Sequence, residues 1–149
     1  MLEIRLVNSL ATDQLAEFFR SLRMAGGEAQ FHPHPLDDKT ARSLVTYRGR
    51  DLYFGLLVGG VLKGYGILRG WDEGFEVPSL GIALLPSARG LGLGALLMTF
   101  LHSAARLRGA LAVRLTVRDD NTSALKLYRS FGYSLEPLEN GRLIGRLTL

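Results

Sequence analysis

Apolar residues recur along this chain with two different periods, and the switches between them mark its elements. Leu2-Glu3-Ile4-Arg5-Leu6-Val7 alternates loosely and predicts a first strand. Asn8 and Ser9 break it. Thr12 then offers an N-cap for a helix whose Leu15, Phe18, Phe19 and Leu22 recur at helical spacing, and Gly26-Gly27 ends that helix. Phe31-His32-Pro33-His34-Pro35 is a loop that two prolines keep extended. A short helix over residues 37–47 turns Ala41, Leu44 and Val45 inward, and Gly49 closes it.

Strand patterning follows. Runs over 51–58 and 61–69 join at Gly59-Gly60, a dipeptide suited to a two-residue hairpin turn. A polar loop over 69–74 leads into a strand over 75–84, whose apolar end, Leu80-Gly81-Ile82-Ala83-Leu84-Leu85, reads as buried and is stopped by Pro86 and Ser87. A proline-free helix former continues from Ala95 through Arg106, and a strand over 111–117 comes next. Asp119, Asp120, Asn121 and Thr122 offer caps for a helix over 123–130, and strand signals at 133–135 and 142–149 finish the chain. This order, without repeats or linkers, predicts one mixed α/β domain over residues 1–149.

Composition narrows the classes. The chain has 149 residues, 47% hydrophobic and 21% charged, enough for one globular core. No apolar run reaches the ~20 residues of a membrane span, and Met1-Leu2-Glu3-Ile4-Arg5 does not read as a signal peptide. The absence of cysteine excludes disulfides, thiolate zinc sites and an acyl-cysteine intermediate, and it fits the cytoplasm. The net charge of +4 is scattered, and no stacking aromatics accompany a basic stripe. Those features disfavour nucleic acid and suit an anionic small ligand. His32 and His34, with Asp37 and Asp38, are too loose a pattern to carry a metal site, so no metal is expected.

The candidate chemistry lies at Arg89-Gly90-Leu91-Gly92-Leu93-Gly94, a strand-to-helix turn. A helix N-terminus has unpaired N–H groups and partial positive charge, and glycines let a ligand approach that backbone. With Arg89 beside it, the turn is a phosphate cradle. No Lys-Ser or Lys-Thr follows, against a nucleotide-triphosphate loop, and Leu97 occupies the third glycine position of a dinucleotide fingerprint. The bland alternative is a tight turn before a packed helix.

What remains, Arg-x-x-Gly-x-Gly, resembles the acetyl-CoA pyrophosphate loop of the GNAT acetyltransferase superfamily. A second pattern agrees in order and distance: Asn121-x-x-Ala124-x-x-Leu127-Tyr128, followed by Phe131-Gly132-Tyr133, is similar to the other hallmark of that superfamily. The resemblance implies a central, mostly antiparallel sheet with splayed central strands flanked by helices, and acetyl-CoA as co-substrate. It implies that main-chain groups of Ile82, Ala83 and Leu84 hold the pantetheine arm, and that residues 89–94 hold the pyrophosphate. Asn121 and Ala124 would border the arm and Tyr128 would face the sulfur; helix capping and packing are the plain alternatives for the first two. The family commonly forms homodimers.

Chemistry adds roles. An amine with pKa near ~10 must lose a proton before it attacks a thioester, and the leaving thiolate must gain one. Tyr128 is the candidate acid. Glu76 is the candidate base, where some family members place a glutamate, with Asp72 and Glu73 as alternatives. Trp71, Asp72 and Glu73 are candidate contacts for the acceptor, a small-molecule amine such as an amino sugar or amino compound. Without an available cysteine, direct transfer in a ternary complex is favoured. The competing function is a catalytically weak CoA-binding sensor or interaction module of the same fold.

Overall fold

The computed structural model describes residues 1–31 and 33–149; His32, half of the discounted His-x-His pattern, lies outside the described residues. Seven strands form one sheet: β1 (Leu2–Leu6), β2 (Leu52–Val58), β3 (Val61–Arg69), β4 (Ser79–Leu84), β5 (Ala112–Arg118), β6 (Ser134–Leu138) and β7 (Arg142–Thr148). Their spatial order is β1-β2-β3-β4-β5-β7-β6, and every neighbouring pair is antiparallel except β4 with β5. The helices are α1 (Thr12–Met24), α2 (Asp38–Val45), α3 (Leu93–Leu107) and α4 (Thr122–Ser130). The mixed α/β expectation and its mostly antiparallel sheet hold.

Alternating side chains feed two cores, one on each face of the sheet. Tyr53, Leu57, Tyr65 and Ile67 pack with Leu15, Phe19 and Leu22 of α1 and Leu44 of α2. Phe54, Leu56, Leu68 and Leu80 pack on the other face with Leu97, Met98 and Leu101 of α3 and Leu125 of α4. Each fully buried side chain of this size contributes roughly 1.5–3 kcal/mol. Gly66 in β3 sets the depth of α3, because a Cβ there would meet Leu101 Cδ1 at 3.0 Å and Leu97 Cδ1 at 3.2 Å.

Several boundaries depart from the sequence expectation: α2 stops at Val45, β6 runs on to Leu138, and two further departures lie at the starts of α1 and β4. Thr12 opens α1 rather than capping it, and Ala11 at the cap makes no side-chain bond. The strand expected over 75–84 begins only at Ser79. The N–H of Phe75 turns back to Gly70 O at 2.9 Å, and Pro78 has no N–H to donate, so the strand proper starts only after it. Asp37, by contrast, caps α2, its Oδ1 accepting from Thr40 N at 2.8 Å.

The feature that positions a site is the divergence of β4 from β5. Their register holds a single pair, Ser79 with Arg114, whereas β3 and β4 stay paired from Arg69–Ser79 to Gly64–Leu84. Past Ser79 the two central strands splay apart.

Candidate active site

Hydrogen-bond alternation decides which main-chain groups face the opening. Arg114 N donates to Pro78 O at 3.0 Å, so even-numbered residues of β4 direct their main chain toward β5. Leu85 N donates to Lys63 O at 2.9 Å, so odd-numbered residues direct theirs to β3. Ile82 and Leu84 therefore present main-chain N–H and C=O groups to the opening where β5 has left. Ala83 spends its main chain on β3 and lines the opening without supplying main-chain bonds there. The main-chain role expected of all three thus narrows to two.

A cavity of about 550 Å³ runs from this edge to the glycine loop. Gly90 and Gly92 have φ of 76° and 78°, a left-handed conformation that other residues adopt only with strain. Gly92 is the N-cap of α3, and no acid occupies the helix's first turn, so its partial positive charge is unanswered within the helix. Arg89 lines the same cavity, its guanidinium donating to Leu84 O at 3.4 Å. Leu91, 69% exposed, is the loop residue outside the lining, while Leu93 and Gly94 belong to it. Asn121 caps α4, Oδ1 accepting from Ala124 N at 3.2 Å, and both residues also line the cavity. A cation, free amide hydrogens at a helix mouth and an unpaired strand edge fit a diphosphate-bearing thioester with an amide-containing arm.

A second cavity, about 620 Å³, lies beyond the splay and meets the first at Gln30, Phe31, Ile82, Thr116 and Tyr128. Tyr128 is 6% exposed, and its hydroxyl has no hydrogen-bond partner among the described residues. Burial pushes its phenol up to about 12, so it carries its proton throughout the neutral range.

Of the acids expected here, the structure brings only Glu73 to the second cavity. Glu76 sits on an exposed bend before β4, outside both linings, because the strand that was to carry it starts later. Asp72 also lies outside; the Tyr47 hydroxyl donates to its carboxylate, as does Arg50 N at 2.7 Å, and these bonds hold its pKa below the usual carboxylate value. Trp71 is 6% exposed and packs in the core beneath Arg108, whose guanidinium lies 5.1 Å from the ring centre. Asp51 imposes this turn: its buried Oδ1 accepts from Gly70 N at 3.0 Å, Trp71 N at 2.9 Å and Asp72 N at 3.3 Å.

Sequence reasoning missed Arg69, Arg114, Thr116 and Arg142 in the second lining. The signal available was the alternation in Val113-Arg114-Leu115-Thr116-Val117, which puts Arg114 and Thr116 opposite the core face. His34 is taken up elsewhere, Nε2 against the Tyr65 hydroxyl at 2.8 Å and its ring against Phe19 and Phe31. Among the described residues no group of three or more potential ligands gathers for a metal ion.

Comparisons with known proteins agree with this geometry. The family described as acetyltransferase (GNAT) matches residues 13–133. The ribosomal-protein-S18-alanine N-acetyltransferase from Escherichia coli is 26% identical with a TM-score of 0.71, the alignment covering 99% of this chain and 94% of that one. The PaiA N-acetyltransferase from Thermoplasma acidophilum, solved with coenzyme A, shares the fold at TM-score 0.78 and 17% identity, covering 100% and 99%. YncA from Salmonella typhimurium, a putative acetyltransferase solved with acetyl-CoA, does so at 0.73 and 19%, covering 99% and 94%. A sequence comparison with curated proteins finds no match.

Proposed function

The chain belongs to the GNAT acetyltransferase family, and from that premise we propose that it acetylates a primary amine of a small acceptor by direct transfer in a ternary complex. The observation that carries this reading is the meeting of two cavities at Ile82, Thr116 and Tyr128, with the glycine loop on one side and Glu73 on the other. Acetyl-CoA supplies the activated acyl group. Arg89, the amides of residues 90–94 and the open edge at Ile82 and Leu84 bind and orient it.

The acceptor enters through the second cavity. Glu73 takes the ammonium proton, directly or through water, since it is the expected acid that reaches this space. The Ile82 N–H, aimed into the opening, stabilises negative charge growing on the thioester oxygen. Tyr128 keeps its proton at neutral pH and gives it to the departing sulfur. Phe31 and Ile82 supply apolar walls that limit water at the junction. A cytoplasmic location suits this co-substrate.

A second reading, the N-terminal amine of a polypeptide, is favoured by the 26% identity to an enzyme named for ribosomal-protein alanine. Free thiol release should separate the two when acetyl-CoA is offered with small amines or with alanine-starting peptides. Turnover of small amines is expected. Thioester binding without turnover of either class would mark a CoA-binding module instead, and no thioester binding at millimolar concentration would end both readings.

A further inference from the structure

The acceptor cavity has an unusual charge. Its lining includes three guanidiniums, from Arg69, Arg114 and Arg142, against the single carboxylate of Glu73. None of the three is in an ion pair among the described residues, where Arg20–Asp38 and Arg118–Asp120 are the ion pairs found. Arg69 donates to Pro33 O, and Arg114 Nε donates to Ser79 Oγ at 3.0 Å while its guanidinium lies 5.9 Å from the centre of the Phe75 ring, so both are held by neutral groups rather than by a carboxylate.

The sheet makes the arrangement more costly. Arg114 stands directly opposite Arg146 on β7, and Arg142 directly opposite Arg118 on β5. Like charges in register across a ladder are unfavourable. Asp120 answers Arg118 at 3.1 Å, but no ion pair among the described residues answers Arg142. Two arginine pairs therefore bracket Thr116 and Ile144, both of which line the same cavity. Asp120 holds Arg118 and the Phe75 ring lies beneath Arg114, yet no carboxylate pairs with Arg69, Arg114 or Arg142 among the described residues. A planar guanidinium suits one ligand chemistry above others, an oxyanion taken in two parallel hydrogen bonds.

We infer that the acceptor is an anionic amine, with a carboxylate or phosphate near its amino group that Arg114, Arg142 and Arg69 hold while Glu73 faces the ammonium. This rests on the proposed acetyltransferase reading and names its substrate class. The arginines act as positioning residues: they fix the anion, and the anion fixes the amine beside Ile82 and Tyr128.

The test uses matched acceptors: an ω-amino carboxylate against its amide, and an amino-sugar phosphate against the free amino sugar, each with saturating acetyl-CoA. At least one anionic member should exceed its neutral partner in kcat/KM by about tenfold or more, and which pair does so separates the carboxylate from the phosphate. Arg142→Gln and Arg114→Gln should each raise KM for that anionic acceptor by about tenfold while leaving KM for acetyl-CoA and the neutral partner within about twofold. Arg142→Lys should recover part of the loss. Since each change to glutamine relieves a like-charge pair, the melting temperature should not fall; a lower one with unchanged acceptor KM would mean a structural role and overturn the inference. Equal use of neutral and anionic partners, or preference for alanine-starting peptides, overturns it while the acetyltransferase reading stands. Binding of acetyl-CoA with no turnover of any acceptor removes both.

Discussion

In the reading proposed above, the two sides of the β4/β5 splay recognise their ligands by different means. On the thioester side the recognising groups are mostly main chain: amides at the mouth of α3 and the open edge at Ile82 and Leu84, with Arg89 as the added cation. On the acceptor side they are side chains drawn from separate elements: Arg69 from the end of β3, Glu73 from the following turn, Arg114 from β5 and Arg142 from β7. Main-chain recognition needs glycines at fixed spacing, because only glycine reaches φ near 77° without strain and leaves the amides bare. Side-chain recognition can be rebuilt at many positions. One side is thus set by a local motif, and the other is open to change of substrate.

Substitutions can break this contrast. The largest effect is expected at the junction both sides share. Tyr128→Phe should lower kcat by about 100-fold with either KM within about twofold, measured by steady-state thiol release. Full kcat in that variant would remove the acid. The pH profile sharpens the point. Burial raises the phenol to about 12, so its proton is present at neutral pH and is lost only as pH climbs through that value. The rate should rise with pH as the amine deprotonates, with no alkaline fall from Tyr128 below about pH 10.

A smaller effect is expected on the thioester side alone. Gly92→Val forces a β-branched residue into a φ of 78° and should weaken acetyl-CoA binding by about tenfold in calorimetry, leaving acceptor KM unchanged. Unaltered binding would mean that the loop's conformation is not what holds the diphosphate. The smallest kinetic effect falls on the acceptor side. Asp51→Ala removes the acceptor of three N–H groups and should cost about 3 kcal/mol in denaturant unfolding. It should raise acceptor KM a few-fold, because the turn carrying Glu73 loosens, while thioester affinity stays the same. A shift in thioester affinity instead would show that the two sides are coupled through the sheet.

Most elements are legible in the sequence alone, and so is the glycine turn at the mouth of α3. The hairpin at Gly59-Gly60, the breaks at Pro86 and Ser87 and the cap at Asn121 are each set by residues within a few positions of one another. The misreadings share a cause. Trp71 looked like a ligand contact because it sits in a polar loop, yet Asp51, twenty residues earlier, fixes the turn by accepting from its N–H, and the ring is buried. Glu76 looked like a strand residue because the apolar run continues past it, yet the Phe75 N–H is already used and Pro78 has none to offer.

The sequence by itself determined where the backbone turns, which faces are apolar, and where a helix mouth is left bare, since these follow from steric limits and periodicity acting over a few residues. Only the tertiary structure decided that β5 leaves β4 after one pair, that Tyr128 stands where two cavities meet, and that arginines from three strands gather around one space. Those outcomes depend on contacts between residues far apart in the chain, whose energies no local pattern encodes.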